Sequence, residues 1–428
     1  MQTRIEPGRL EWKALCRRPG MQRSELDVLL REVFTAVQKG GDSALLALTE
    51  KYDGVKLIDV KVALCGETAE SIGLDSALKK AIDDAYDNIW KFHCRQAEAG
   101  SMRVETSQGV VCWQEPRAIE RVGLYVPGGS APLISTMLML GIPALLAGCK
   151  QIVVCTPPEK SGAINAAIRY AAAKCGVKTL YAVGGAQAIA AMTVGTETVP
   201  RVDKLFGPGN QYVTAAKEYA ERYGVAKDMP AGPSEVLVLA DGTARADFVA
   251  ADLLSQAEHG PDSQVVLVTT SREIQNEVKS ELKRQIRLLQ RSEIAQQALQ
   301  NSLSVYFSDM ETAIDFANAY APEHWIIQAA DAELWAERVQ NAGSVFIGPY
   351  TPESAGDYAS GTNHTLPTAG WARSYSGICV QSFQKQVSFQ AISKDGLTRL
   401  ASTIGTLADA EGLTAHARAV TIRTKASP

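Results

Sequence analysis

Twice along its length the chain alternates short β-branched runs with segments of helical periodicity, and this alternation restricts the fold more than any other feature. In the first stretch the run QIVVC precedes a helical pattern from about Ala163 to Lys174, closed by Gly176. The run KTLYAV follows, and Gly184 and Gly185 open a further helix. Strand, helix and strand in that order make a βαβ unit, whose two strands pair in parallel. The second stretch repeats the pattern with EVLVLA, QVVLVTT, LSVYFS, WIIQ and GSVFIG, separated by helical segments such as Arg245 to Glu258 and Arg272 to Leu289. The expectation is an α/β protein with two doubly wound domains.

The flanks read differently. From Ser24 to about Lys39 apolar residues recur at helical spacing behind a capping box of Ser24 and Asp27, and further helices fit Asp42 to Tyr52 and Leu74 to about Ala99. The chain turns strand-like and rich in turns from Val110 to Gly129. Beyond Tyr350 it is irregular, with two short helical segments, Asp395 to Ala408 and Leu413 to Ile422, too small for a core of their own and expected to pack on another domain or subunit. At 428 residues and 46% hydrophobic content there is room for two or three domains. The expected division is a mainly helical region over residues 1–120, α/β domains over 121–235 and 236–350, and an extended and helical region over 351–428.

A net charge of −4, with both signs mixed throughout, offers no field to nucleic acid or an anionic membrane. The start, MQTRIEPGRLEWKALCRR, lacks the apolar stretch of a secretory signal, and the most apolar region, Ala131 to Cys155, is interrupted by Pro143, Gly148 and Lys150. A cytoplasmic protein with small-molecule partners is expected. The cysteines, Cys16, Cys65, Cys94, Cys112, Cys149, Cys155, Cys175 and Cys379, are scattered without a CxxC pair, which points to reduced thiols. Cys149 and Cys155 flank an apolar strand without a neighbouring histidine, so they read as core residues rather than nucleophiles.

Only five histidines are present: His93, His259, His324, His364 and His416. In DLLSQAEHGPD, Gln256 and His259 stand three apart where Gly260 and Pro261 end a helix, facing the same way from its last turn. Two ligands on one metal and a surface pair favoured by the helix dipole both fit. In APEHW, Glu323 and His324 place a carboxylate and an imidazole, both able to move protons near neutral pH, at one element edge; a solvated pair is the plain alternative. In PESAGDYASGTNHTLPT, Asp357 and His364 occupy a glycine-rich loop able to bend round a ligand, or simply stabilise turns. Glu411 and His416 share the segment EGLTAHARA. No GxGxxG follows a strand, but VGGAQ, Val183 to Gln187, sets two glycines between a strand end and a helix N-terminus, where backbone amides can hold phosphate. LYVPGGSAP and FGPGNQY are further loops of this composition, and both nucleotide binding and ordinary tight turns fit them.

Taken together, these motifs resemble the histidinol dehydrogenase family. The run DMPAGPSEVLVLADGTARADFVAADLLSQAEHGPDSQ is similar to the family signature, and GLYVPGGSAPL, VGGAQAIAA, FGPGN, PEH, SAGDYASGTNHTLPT and LTAH occur in the family's order. The resemblance implies two incomplete Rossmann-like domains and a small helical C-terminal appendage in an intertwined homodimer. It implies oxidation of L-histidinol through L-histidinal to L-histidine, the last steps of histidine biosynthesis, with NAD and zinc.

One zinc per subunit would be held by Gln256, His259, Asp357 and His416, the last from the other subunit. Glu323 and His324 match the acid–base pair. Ser234, His364 and Glu411, with His324 and the zinc ligands, match residues that hold substrate, while Tyr125, Gln187 and Asn210 match NAD contacts. In the implied mechanism His324 accepts the hydroxyl proton as hydride leaves, and Glu323 activates water to attack the bound aldehyde, whose hydrate yields a second hydride. Glutamine is an uncommon zinc ligand and rests on the resemblance alone. Rival readings are a dehydrogenase of the same fold acting on another amino or sulfonated alcohol, a zinc hydrolase using Glu323 without NAD, and a non-catalytic scaffold.

Overall fold

The computed structural model describes residues 1–18, 23–64, 71–97, 102–128, 132–230 and 232–425. The Ser24 side chain, Cys65 and residues Gly129 to Ala131 lie outside the described residues. The chain begins with β1 (Gln2–Ile5), α1 (Arg9–Leu15), α2 (Arg23–Asp53), β2 (Lys61–Ala63), α3 (Ser76–Ala97), β3 (Arg103–Ser107) and β4 (Val110–Ala118). The two helices expected between Ser24 and Tyr52 are one run bent at Gly41, whose φ of 52° and ψ of −135° suit glycine.

The first alternating stretch comprises β5 (Arg121–Tyr125), α4 (Ile134–Ala147), β6 (Gln151–Thr156), α5 (Ala166–Lys174), β7 (Thr179–Ala182), α6 (Gly185–Val194), β8 (Lys204–Phe206), α7 (Gln211–Ala220) and β9 (Ala226–Lys227). Pro143 does not interrupt the apolar region. Helix α4 runs through it, and because a prolyl nitrogen cannot donate, the Met139 carbonyl one turn earlier is left open to another partner. The Asn363 side-chain amide takes that place, donating to the Met139 oxygen at 2.5 Å.

The second stretch comprises β10 (Glu235–Ala240), α8 (Ala246–Ala257), β11 (Gln264–Thr269), α9 (Arg272–Gln285), α10 (Ser292–Gln300), β12 (Leu303–Tyr306), α11 (Met310–Tyr320), β13 (His324–Gln328), α12 (Ala332–Ala336) and β14 (Ser344–Ile347). The chain closes with α13 (Glu353–Tyr358), β15 (Gln384–Ile392), α14 (Lys394–Ala410) and α15 (Thr414–Lys425).

The first sheet has the order β2-β7-β6-β5-β8-β9, parallel except for β2. The second, β1-β12-β11-β10-β13-β14, is parallel throughout. Inside its added edge strand, each sheet follows the first five strands of the Rossmann order, counted from β5 or from β10. All residues of β10 and β11 are buried, as a parallel sheet covered on both faces requires. A third sheet, β15-β4-β3, is antiparallel and ties residues 384–392 to residues 103–118. Strand β15 escapes the hydropathy pattern because most of its side chains are exposed.

Helices α14 and α15 pack on each other, and α15 buries none of its residues. Among the described residues no helix is long and apolar enough to cross a membrane. Cys16, Cys94, Cys112, Cys149, Cys155, Cys175 and Cys379 are free thiols. Burial raises Cys149 to about 11 and Cys155 further, which leaves both unreactive at neutral pH.

Candidate active site and metal centre

At the second sheet the chemistry-bearing side chains gather at the amino ends of the strands. Glu235 opens β10, and His324 opens β13, directly after Glu323. Ala321, at a φ of 53°, and Pro322 end α11 and turn the chain into β13. Glu323 and His324 are only 6% and 3% exposed, which removes the reading of a solvated pair. Helix α8 returns to the same edge, but it ends at Ala257: Gln256 is buried in its last turn, while His259 lies beyond the helix and is exposed. The two therefore do not share one helix face. Asp357 likewise sits on the short helix α13 rather than in a loop, one turn after Glu353, and α13 packs on α8.

His324 stands at the centre. Its Nδ1 is 3.2 Å from the Glu235 carbonyl oxygen, 3.6 Å from Glu323 Oε2 and 3.9 Å from Glu353 Oε1, while Nε2 is 3.4 Å from Asp357 Oδ1. Donation from Nδ1 to the carbonyl presents Nε2 to the cluster. Buried Nε2 and Asp357 Oδ1 have no aligned hydrogen-bond partner among the described residues. Burial by itself lowers the imidazole, but Glu323, Glu353 and Asp357 outweigh it and hold His324 well above its ordinary value. Burial raises Glu323 to about 8, although His324 and the Glu235 N–H, donating to Oε2 at 2.9 Å, oppose the shift. Glu353 is raised well above the carboxylate range, chiefly by burial. For Asp357 burial is outweighed by His324, His364 and His259, which lower it.

His259, Glu353 and Asp357 each offer one ligand atom within 4.8 Å of the others. The Gln256 amide lies against the Glu353 carboxylate. Turned so that its nitrogen donates there, it reaches Oε2 at 3.2 Å and leaves its own oxygen to serve as a ligand atom. An imidazole, carboxylates, an amide oxygen and two orphaned buried polar atoms make a set that suits a divalent cation, zinc included.

The first sheet uses its other edge. Tyr125 ends β5, and its hydroxyl oxygen accepts the Gly185 N–H at 3.1 Å, where α6 begins. Gln187, buried in the first turn of α6, approaches Asp53 Oδ2 at 3.5 Å. Gly184, the residue before α6, offers the helix no side-chain cap. Asn210 caps α7, its Oδ1 accepting from the Tyr212 and Val213 N–H groups at 3.1 Å. The loop before it is clamped by a buried ion pair. Lys217 Nζ bonds Asp228 Oδ1 at 2.6 Å and the Gly207 carbonyl at 2.8 Å, and Asp228 Oδ2 accepts the Gly207 N–H at 2.8 Å. Gly207, at a φ of 122°, stands so close to the Tyr125 carbonyl that no side chain fits. These loops meet at the carboxyl ends of β5 and β8, the switch point where such sheets take ligands.

Residues 16–424 match the family described as Histidinol dehydrogenase. The chain belongs to the histidinol dehydrogenase family. It is 50% identical over 419 residues to histidinol dehydrogenase of Bacteroides fragilis strain YCH46, covering 97% of each chain. It is also 50% identical over 413 residues to that of Vibrio parahaemolyticus, covering 96% of this chain and 95% of the relative. The crystal structure of histidinol dehydrogenase from Elizabethkingia anophelis is similar with a TM-score of 0.96 at 50% identity, over 99% of this chain and 98% of that one. The chain is an oxidoreductase of that family.

Within the histidinol dehydrogenase fold, the residues singled out from the sequence fall into three places. Gln256, His259, Glu323, His324 and Asp357 converge at one edge, with Ser234 half-buried just before β10. His364 joins them electrostatically and lies 3.2 Å, through Nε2, from Thr136 Oγ1 near the start of α4. Tyr125, Gln187 and Asn210 occupy the carboxyl edge of the first sheet. Glu411 and His416 belong to neither place, being exposed at the junction of α14 and α15. The sequence reading missed Glu353, whose signal is its spacing of one helical turn from Asp357, and Glu235, which acts through its main chain and leaves no signal in residue type.

Proposed function

We propose that the chain oxidises L-histidinol through L-histidinal to L-histidine with two equivalents of NAD, as a zinc-dependent cytoplasmic homodimer with shared sites. The observation that carries this is a buried Glu323–His324 pair facing a metal-capable cluster in a histidinol dehydrogenase relative. The donor set fits the ion: Gln256, His259 and Asp357 would hold it, with His416 of the partner subunit completing four ligands. The exposure of His416 supports its donation to a second copy. When bound, zinc would supply a Lewis acid for nitrogen ligands of the substrate, which would orient the alcohol beside the acid–base pair.

Proton movement falls to the chain's own residues. With Asp357 committed to the cation, His324 would be neutral at Nε2 and, with Nδ1 fixed on the Glu235 carbonyl, would accept the hydroxyl proton there as the substrate's hydride passes to NAD. Glu323, raised toward neutrality by burial, takes a proton from the water that attacks the aldehyde, and the hydrate gives its hydride to a second NAD. Ser234 and His364 hold substrate, joined by Glu411, which like His416 would reach the site from the partner subunit. Tyr125, Gln187 and Asn210 hold NAD, with the uncapped start of α6 facing its phosphates. The division into regions 1–120, 121–235, 236–350 and 351–428 belongs to the same proposal. The test is NADH formation from L-histidinol and NAD, with and without chelation. Two NADH per histidinol, lost on chelation and restored by zinc, is the expected result; no NADH from folded, zinc-loaded protein refutes the substrate.

A further inference from the structure

We propose that the buried Arg18–Glu235 ion pair is a positioning device for Glu323 and His324, acting through the Glu235 main chain. The claim rests on the acid–base roles given above. Only 10% and 1% of the two side chains is exposed, and Arg18 Nε meets Glu235 Oε2 at 2.6 Å. The guanidinium is held on further sides: Nη1 donates to the Cys16 carbonyl at 2.7 Å and Nη2 to the Tyr320 carbonyl at 2.8 Å, and its centre lies 3.6 Å from the Tyr320 ring centroid. The remaining carboxylate oxygen of Glu235 accepts the Ala369 N–H at 2.5 Å. Both oxygens are thus committed to strong partners, and the side chain has one place to be.

The main chain of this residue carries both the acid and the base. Its N–H donates to Glu323 Oε2 at 2.9 Å, and its carbonyl accepts from His324 Nδ1 at 3.2 Å. One residue therefore sets the direction of the carboxylate and the tautomer of the imidazole. The β10–β13 ladder begins at Val236 opposite His324, so it engages the Glu235 carbonyl but leaves the Glu235 N–H without a main-chain partner on that side. The ion pair supplies the missing restraint, drawing on the N-terminal segment, the end of α11 and the loop at Ala369.

Replacing Arg18 alone strands a buried carboxylate, so the decisive variant is the apolar pair Arg18→Met/Glu235→Met, with Arg18→Lys as a charge-retaining companion. Each is measured for kcat, for KM of histidinol and NAD, for zinc affinity by chelator competition, and for the His324 tautomer by NMR of 15N-histidine protein, assigned with His324→Gln. The expected result for the double variant is a folded protein whose kcat falls about tenfold to a hundredfold. Its KM for NAD and its zinc affinity stay unchanged, and the single Nδ1-protonated signal of His324, read in zinc-loaded protein at a pH above its titration, is lost. Arg18→Lys falls between, and is read by the same criteria if the double variant does not fold. A folded variant with wild-type kcat and an intact single tautomer overturns the proposal, as does a loss of activity that follows zinc affinity while the tautomer persists. If the wild type makes no NADH from histidinol, the proposed function fails, while the tautomer still decides the positioning claim.

Discussion

In the first sheet Tyr125, Gly185 and Asn210 stand where β5, β7 and β8 lead out; in the second, Glu235 and His324 stand where β10 and β13 lead in. The strand order is shared, and the difference lies in the switch points. Between β5 and β8 the crevice is bordered by Gly128, Gly207 and Gly209, and the Lys217–Asp228 pair fixes Gly207 through both its N–H and its carbonyl. Between β10 and β13 the corresponding crevice is laced shut: the Asp241 N–H reaches the Gln328 carbonyl at 3.3 Å, and Asp241 Oδ2 accepts the Ala330 N–H at 2.9 Å. A repeated topology thus offers a site at one end by default, and closing that end leaves the sheet usable as a platform at the other.

Removal of metal probes this separation most strongly. Chelation is expected to abolish histidinol oxidation while leaving NAD binding, followed by fluorescence quenching, unchanged; equal loss of both would merge the two edges into one site. His324→Ala is expected to lower kcat about 10³-fold with the same indifference in NAD binding, measured by steady-state kinetics beside a binding titration. Gly207→Ala acts on the other side. A methyl group against the Tyr125 carbonyl at an unfavourable φ is expected to raise KM for NAD about tenfold and leave KM for histidinol within about twofold.

The smallest effect concerns Asp252, whose Oδ2 accepts Gln328 Nε2 at 2.8 Å near the closed end. Burial raises this carboxyl to about 7. Because the folded value lies above the unfolded one, its stabilising contribution is complete below about pH 4 and is lost as pH rises through 7. Asp252→Asn is expected to remove that slope, adding about 2 kcal/mol at pH 8 relative to the wild type, as read by urea melts at pH 5 and pH 8. Parallel slopes for the two proteins would refute it.

The alternation of β-branched runs made both parallel sheets legible, since valine-rich strands between helices have few other uses. It did not reveal β15, which is polar and finds its place only by pairing with β4. At the site, residue type identified Glu323, His324, Asp357 and His259, but a linear reading assigned Gln256 and His259 to one helix face and Asp357 to a loop, because the exact end of α8 and the start of α13 depend on packing. Glu235 and Arg18 were out of reach: they meet across 217 positions of sequence, and what matters at Glu235 is its peptide.

Pro143 carries a warning for anyone redesigning this chain. Scored locally, a proline inside α4 is a flaw costing about 3 kcal/mol of helix propensity, and a stabilising redesign would replace it first. The alanine that restored the helix bond would occupy the Met139 carbonyl, evict Asn363, and so loosen the neighbouring His364. The defect is the socket, and a chain improved at that position would be a steadier helix with a less certain active site.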